Sequence, residues 1–266
     1  MANEVIELQG LLDFAVLIAR EAGEITLRYF RKACAVDTKS DGSLVTQADR
    51  EAEAHLRQRI TTAFPDDEIL GEEEENRAGT SGRRWIIDPI DGTFSFVHGV
   101  PMFGVLVALE IEQDVVVGVI NLPATGDVVY AAKGQGCFWN GNRARVSTTK
   151  SLDVAILLAT DFGMCGQYGF GAAAERLQRN VMARRTWGDC YGHLLVATGR
   201  ADVMIDPIMN VWDCASLLPI IEEAGGTFTD WNGRRTIRGG NAISTNGVLL
   251  AEVMSVIRGQ PTGVAK

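Results

Sequence analysis

Between Trp85 and Ala132, four short apolar runs are separated by Gly, Asn and Pro: Trp85-Ile86-Ile87, Phe103-Gly104-Val105-Leu106-Val107-Ala108-Leu109, Val115-Val116-Val117-Gly118-Val119-Ile120 and Val128-Val129-Tyr130-Ala131-Ala132. Runs this short, rich in β-branched residues and bounded by turn formers, predict a strand-rich sheet over residues 85 to about 149. Apolar strands have to be covered, and the preceding segments can cover them. Leu8, Leu11, Leu12, Ala15, Val16, Ala19 and Ala22 fall at helical spacing in a long opening helix over residues 5–30. A turn at Lys39-Ser40-Asp41-Gly42 precedes a second helix over residues 46–64. Its Thr46/Asp49 spacing resembles a capping box, and Ala48, Ala52, Leu56 and Ile60 form one stripe.

The second half alternates between strand and helix. Strands are expected at 155–160 and 203–205, and helices at 172–182, 191–198 and 213–224. The last helix ends at Gly225-Gly226, where glycine can take the left-handed cap, and Pro219 removes one of its backbone hydrogen bonds. With no linker, repeat or low-complexity segment, the elements are expected to stack in layers around shared cores. The expectation is one domain over 1–266, with an α+β half to about residue 150 and an α/β half from about 151. Periodicity alone does not give the order of the layers.

A formal charge of −9 and a pI near 4.9 argue against a nucleic-acid or anionic-membrane binder. The five cysteines, Cys34, Cys137, Cys165, Cys190 and Cys214, contain no CxxC pair, so neither a zinc site nor a disulfide framework is expected. Met1-Ala2-Asn3-Glu4 leads into an amphipathic segment, and no uncharged apolar run reaches membrane-spanning length. These features make a cytoplasmic location the expectation.

The strongest local signal is Trp85-Ile86-Ile87-Asp88-Pro89-Ile90-Asp91-Gly92-Thr93, an apolar strand running into two carboxylates and a Gly-Thr. Pro89 biases Asp88 towards an extended conformation at the strand's end. Gly92 allows close backbone approach, and Thr93 can open a helix whose free N–H groups accept a phosphate. Hard cations such as Mg²⁺ take oxygen ligands, and a two-metal site needs carboxylates from several segments. Glu72 or Glu73, Asp49 and Asp213 stand at element edges. Plainer readings compete: a solvated loop for the glutamate run at 72–75, a helix N-cap for Asp213, and a turn pair for Asp88 and Asp91. The turn pair is the weakest of these, because two aspartates beside an apolar strand are costly unless a cation neutralises them.

Gly71-Glu72-Glu73, Asp88-Pro89-Ile90-Asp91-Gly92-Thr93 and Trp212-Asp213 followed by Glu223-Ala224-Gly225-Gly226 resemble, in that order, the motifs of the inositol monophosphatase family. The resemblance covers nearly the whole chain, including Thr46-Gln47-Ala48-Asp49. It implies a five-layered αβαβα sandwich of the inositol-monophosphatase/fructose-bisphosphatase type, usually a homodimer. It further implies that Glu72, Asp88, the Ile90 carbonyl, Asp91 and Asp213 bind two or three Mg²⁺ ions, and that Gly92 and Thr93 hold the phosphate of a small-molecule monoester. Asp49 and Thr93, with Glu72 among the catalytic set, would orient the attacking water, without a covalent intermediate.

Within the family, Phe94-Ser95-Phe96, the run 101–109 and Arg185-Thr186-Trp187-Gly188-Asp189-Cys190-Tyr191-Gly192 look most like the histidinol-phosphate phosphatase branch. Typical inositol phosphatases have Thr-Asn-Phe after the Gly-Thr and small neutral residues near Asp189. Histidinol phosphate carries an ammonium and an imidazole, so its pocket gains from carboxylates. Asp189 can supply one, and Asp206 matches the family position that contacts the leaving-group alcohol; Asp213 is counted with the expected substrate-binding residues as well as with the metal ligands. A helix N-cap for Asp189 and a strand-end turn for Asp206 are the competing readings. His98 and His193 receive no role, and Trp187, Tyr191 and Trp212 fit the core better than the pocket. The alternatives are an inositol-1-phosphatase, a broader sugar- or nucleotide-phosphate phosphatase and, more distantly, a non-catalytic metal-binding protein.

Overall fold

The computed structural model describes residues 2–32, 34–40 and 42–260; Met1, Ala33, Asp41 of the expected turn and residues 261–266 lie outside them. The first half runs α1 (Ala2–Tyr29), β1 (Val36–Thr38), β2 (Leu44–Thr46), α2 (Gln47–Ala63), β3 (Glu68–Gly71), β4 (Arg83–Asp91), α3 (Thr93–Val97), β5 (Gly104–Ile111), β6 (Asp114–Leu122), β7 (Asp127–Ala132), β8 (Gly136–Trp139) and β9 (Asn142–Arg143). The second runs β10 (Ile156–Ala159), α4 (Phe162–Gln167), α5 (Gly171–Asn180), β11 (Ala183–Arg185), α6 (Asp189–Ala197), β12 (Val203–Asp206), α7 (Val211–Ala215), α8 (Leu217–Glu223), β13 (Thr227–Thr229), β14 (Ala242–Thr245) and α9 (Leu250–Ile257).

Strands β3 to β9 form one sheet in chain order, antiparallel except for the parallel β3–β4 pair. A second sheet has the order β11-β10-β12-β14-β13. Alternation along the strands sends side chains to two different cores. Trp85, Ile87, Val105, Val107 and Val119 pack with Leu12, Ala15, Ile18 and Leu56 of α1 and α2, whereas Ile86, Leu106, Ala108 and Ile120 pack with Leu194, Leu218 and Ile221 of α6 and α8. Strands covered on both faces read as continuous apolar runs, which is why the sequence pattern there does not alternate. The α6–α8 layer also covers Met204 and Phe228 of the second sheet. Leu157, Val203 and Ile243 on that sheet's other face pack against α4, α5 and α9. The result is the five-layered αβαβα sandwich.

Helix α2 starts as its sequence proposes. Thr46 is the N-cap, its hydroxyl accepting from the Ala48 N–H at 3.1 Å while Asp49 accepts the Thr46 N–H at 2.8 Å. Ala48, Ala52, Leu56 and Ile60 are fully buried. Helix α1 is pinned to the sheet by the buried Asn121 amide, which donates to the Ala19 carbonyl at 2.8 Å.

The single helix expected over 213–224 is two helices, α7 and α8, divided at Ser216. Pro219 has no N–H to offer the Ala215 carbonyl, and its ring crowds that carbonyl, so the chain turns and restarts. Gly225 caps α8 with φ +94°, and the Gly226 N–H reaches the Ile221 carbonyl at 2.8 Å. Trp187 is 41% exposed and so departs from its expected core place, while Tyr191 and Trp212 pack partly buried against the central core.

Candidate active site

Strand β4 does not stop at Asp88. Pairing with β5 shifts register between Asp88, opposite Leu106, and Asp91, opposite Gly104. Pro89 cannot donate to the ladder, and the resulting irregularity turns both carboxylates towards the end of the sheet. Asp88 is 1% exposed, and its Oδ1 accepts the Ile90 N–H at 3.0 Å. Gly92 follows with φ +85° as the N-cap of the short α3. A Cβ there would lie 2.9 Å from the Met102 carbonyl and 3.0 Å from Asp189 Oδ2, so a larger residue would collide with the site itself. The Thr93 hydroxyl donates to the Ile90 carbonyl at 2.9 Å.

Asp213 comes from the far half of the chain, at the third position of α7. Asp213 is not the N-cap, which is Asn210; as the third residue of the helix it accepts the Asn210 N–H on Oδ2 at 2.6 Å, the reciprocal half of a capping box. This leaves the other oxygen free to converge. Asp88, Asp91 and Asp213 each place an oxygen within 4.8 Å of the other two. Burial and the neighbouring charges of Glu72, Asp91 and Asp213 drive Asp88 well above the usual carboxylate range. Burial, Asp189 and Asp213 do the same to Asp91. Asp213 is pushed up to about 7 by burial and by Glu72. An all-oxygen set with this much mutual repulsion fits a hard divalent cation.

Glu72 is held slightly apart from this trio. Its Oε1 is 2.7 Å from Lys39 Nζ, which also lies 2.8 Å from Glu73 Oε1. The glutamate run is therefore neither a plain solvated loop nor fully part of the carboxylate cluster. Asp49 is completely buried. Its Oδ2 is taken up by Thr46 but its Oδ1 has no partner among the described residues, and burial and Glu72 push the group up to about 6.

Asp189 is not an N-cap: Gly188 has that position, and Asp189 begins α6 with φ +52° while its N–H donates to the Thr160 hydroxyl at 2.8 Å. Asp189 shares a cavity of about 130 Å³ with Asp91, Asp206 and Asp213. Burial, Asp206 and Asp213 push it up to about 7. Asp206 ends β12 at 4% exposure, with Oδ1 3.3 Å from the Thr160 N–H. A larger groove of about 1030 Å³ beside Leu11, Ser81 and Lys133 contains none of these carboxylates.

Sequence reasoning missed Glu53. One turn beyond Asp49 and fully buried, it accepts the Glu73 N–H at 2.8 Å, the Glu74 N–H at 3.0 Å and Arg57 Nε at 2.8 Å, while Arg57 reaches the Glu74 carbonyl at 2.9 Å. The pair clamps the loop that carries Glu72. The signal was available: Asp49, Glu53 and Arg57 recur at i, i+4 beside the apolar stripe. In Glu53→Gln, an amide N–H₂ faces backbone N–H donors, and Mg²⁺ affinity by titration calorimetry is expected to fall roughly tenfold with the far-UV spectrum unchanged. An unchanged affinity would show that the loop keeps its shape without the clamp. His193 was also missed as a partner of Asp206. His98 has a local place, its Nδ1 2.8 Å from the Phe94 carbonyl.

A family model described as the inositol monophosphatase family matches residues 7–260. A histidinol-phosphatase of Chlorobaculum parvum is 44% identical over 248 residues, covering 92% of this chain and 96% of the relative. A fructose-1,6-bisphosphatase/inositol-1-monophosphatase of Thermotoga maritima is 35% identical over 92% of this chain and 95% of its own length. Among solved structures, an IMPase from Thermotoga maritima superposes with a TM-score of 0.83 at 32% identity, covering 94% of this chain and 97% of that one.

Proposed function

This chain belongs to the inositol monophosphatase family and is a phosphoric monoester hydrolase, and from that premise we propose that it hydrolyses L-histidinol phosphate to L-histidinol and phosphate. The observation that carries the proposal is the pair Asp189 and Asp206, two carboxylates sharing the cavity next to the Asp88, Asp91 and Asp213 cluster. Asp206 stands at the family position for contact with a leaving-group alcohol, but a neutral polyol does not call for the added Asp189. An ammonium with an imidazole N–H beside it does, since charge-assisted hydrogen bonds to buried carboxylates are strong and directional. The name of the Chlorobaculum relative supports the same reading.

In this proposal Asp88, Asp91, Asp213, Glu72 and the Ile90 carbonyl hold two or three Mg²⁺ ions. The chemistry Mg²⁺ would supply there is a lowered pKa for a bound water and neutralisation of charge on the phosphoryl oxygens. Glu72 has its second oxygen to contribute while Lys39 holds Oε1. Gly92 and Thr93 hold the phosphate, and Gly92 admits it because no side chain stands between backbone and ligand. The unpartnered Asp49 Oδ1 accepts a proton from the attacking water, which the Thr93 hydroxyl helps to orient after turning from the Ile90 carbonyl. Asp189 and Asp206 receive the cationic leaving group. A homodimer and a cytoplasmic setting complete the proposal on family resemblance.

The test is phosphate release from L-histidinol phosphate and inositol 1-phosphate, each with and without Mg²⁺. A kcat/KM preference of about tenfold or more for histidinol phosphate is expected, falling by on the order of tenfold in Asp189→Asn with inositol phosphate little affected. A preference for inositol 1-phosphate, which the Thermotoga relative's name favours, would sink the substrate assignment and leave the hydrolase intact.

A further inference from the structure

We propose that His193 is a positioning residue that acts on the substrate only through Asp206, fixing how that carboxylate faces the cavity; this rests on Asp206 contacting the leaving group. His193 has no exposed surface. Its Nε2 lies 3.2 Å from Asp206 Oδ2 and its Nδ1 lies 2.7 Å from the Ser244 hydroxyl. An ionised carboxylate can only accept, so Nε2 carries the hydrogen; in the neutral ring Nδ1 then accepts from Ser244. Asp206 therefore sets the tautomer, and the Ser244 hydroxyl, which can donate as well as accept, holds the ring in place from its other side. The three residues come from three elements: α6, β12 and β14.

Their placement explains why the device works. Asp189 and His193 stand four residues apart on α6, so one helix presents a carboxylate to the cavity and, a turn later, an imidazole to the back of the second carboxylate. Met204 of β12 pairs with Ser244 of β14, and the Asp206 carbonyl accepts Trp231 Nε1 at 2.9 Å, so the backbone at both ends is fixed. Among the described residues Asp206 Oδ1 meets only the Thr160 N–H, at a long 3.3 Å, and that is the oxygen left for a ligand. Without the imidazole, the buried carboxylate can rotate away from the cavity. Misplacement of a binding group by a fraction of its own length costs affinity for the group it holds, while the hydrolytic carboxylates are untouched.

The experiment is a double-mutant cycle with His193→Phe and Asp206→Asn, read as kcat and KM on whichever ester the wild type prefers. His193→Phe is expected to raise KM about tenfold with kcat within about twofold. In the Asp206→Asn background the same change adds nothing, because the residue it acts through is already lost. His193→Gln, which keeps an N–H donor, recovers most of the KM. Ser244→Ala gives a smaller shift in the same direction and serves if His193→Phe fails to fold, with thermal midpoints measured for all variants. Additive losses in the double variant, or a loss confined to kcat, would overturn the proposal, as would an Asp206→Asn variant with unchanged KM. Preference of the wild type for inositol phosphate would defeat the histidinol reading while the cycle still judges His193.

Discussion

Asp88→Asn is expected to lower Mg²⁺-dependent phosphate release by on the order of 10³-fold while raising the thermal midpoint of the metal-free protein. The two effects have one cause. Asparagine keeps the volume of aspartate and an oxygen for the Ile90 N–H, so packing and the local turn survive. What it removes is a negative charge at 1% exposure, facing Glu72, Asp91 and Asp213. In the metal-free protein burial and its neighbours oppose that charge so strongly that folding must bring a proton to Asp88, and an amide, which needs none, relieves the fold. In the Mg²⁺-loaded protein the same charge is a ligand, and an amide oxygen is a poor substitute. Phosphate-release assays and calorimetric melting without Mg²⁺ separate the outcomes. Retained activity would remove Asp88 from the metal site, and lost activity with a lower midpoint would point to a folding defect instead.

The metal-free protein is also expected to lose stability as pH rises, by roughly 5–10 °C in thermal midpoint between pH 5 and pH 8, and saturating Mg²⁺ should restore most of it at the upper end. Asp213 and Asp189 stand at about 7 and Asp49 at about 6, each raised first by burial, and burial also raises Asp88 and Asp91 well above the usual carboxylate range. A carboxyl whose folded value lies above its unfolded value, about 3.9, binds its proton more tightly in the folded state. Its contribution is therefore full below about pH 4 and is lost as pH climbs through 6 and 7, a tenfold gain in proton affinity being equivalent to about 1.4 kcal/mol for a buried group. Mg²⁺ binds the deprotonated ligands, so its stabilising effect grows over the same interval. Midpoints that stay level without Mg²⁺ would show that these carboxylates do not oppose the fold.

Local pattern was most legible where a short segment encodes its own geometry. Thr46 and Asp49 sit three residues apart because a helix start needs that spacing, and the structure places both oxygens accordingly. Asp88 to Thr93 was readable for the same reason, since proline, glycine and acidic residues have narrow backbone preferences. Strands β13 and β14 carry no such signal. Thr227–Thr229 and Ala242–Thr245 are too short to show a period, and they become strands by pairing with each other and with β12. Glu53 looks like one more charge on a polar helix until the loop at 72–75 folds over it, and the Lys39 ammonium between Glu72 and Glu73 depends on a hairpin whose contacts are non-local.

The sequence by itself determined which stretches become helix or strand in most of the chain, and that carboxylates would stand beside an apolar strand. Only the tertiary structure decided which carboxylates meet. Asp213 belongs to a helix that Pro219 cuts short, in the half of the chain opposite β4, and nothing local places it within 4.8 Å of Asp88 and Asp91. Asp206 likewise acquires His193 and Ser244 from two other elements. Backbone preference acts over a few residues, whereas convergence is set by strand register and by the core that α6 to α8 share with both sheets. That core is the reason charges far apart in the chain are forced into one small buried space.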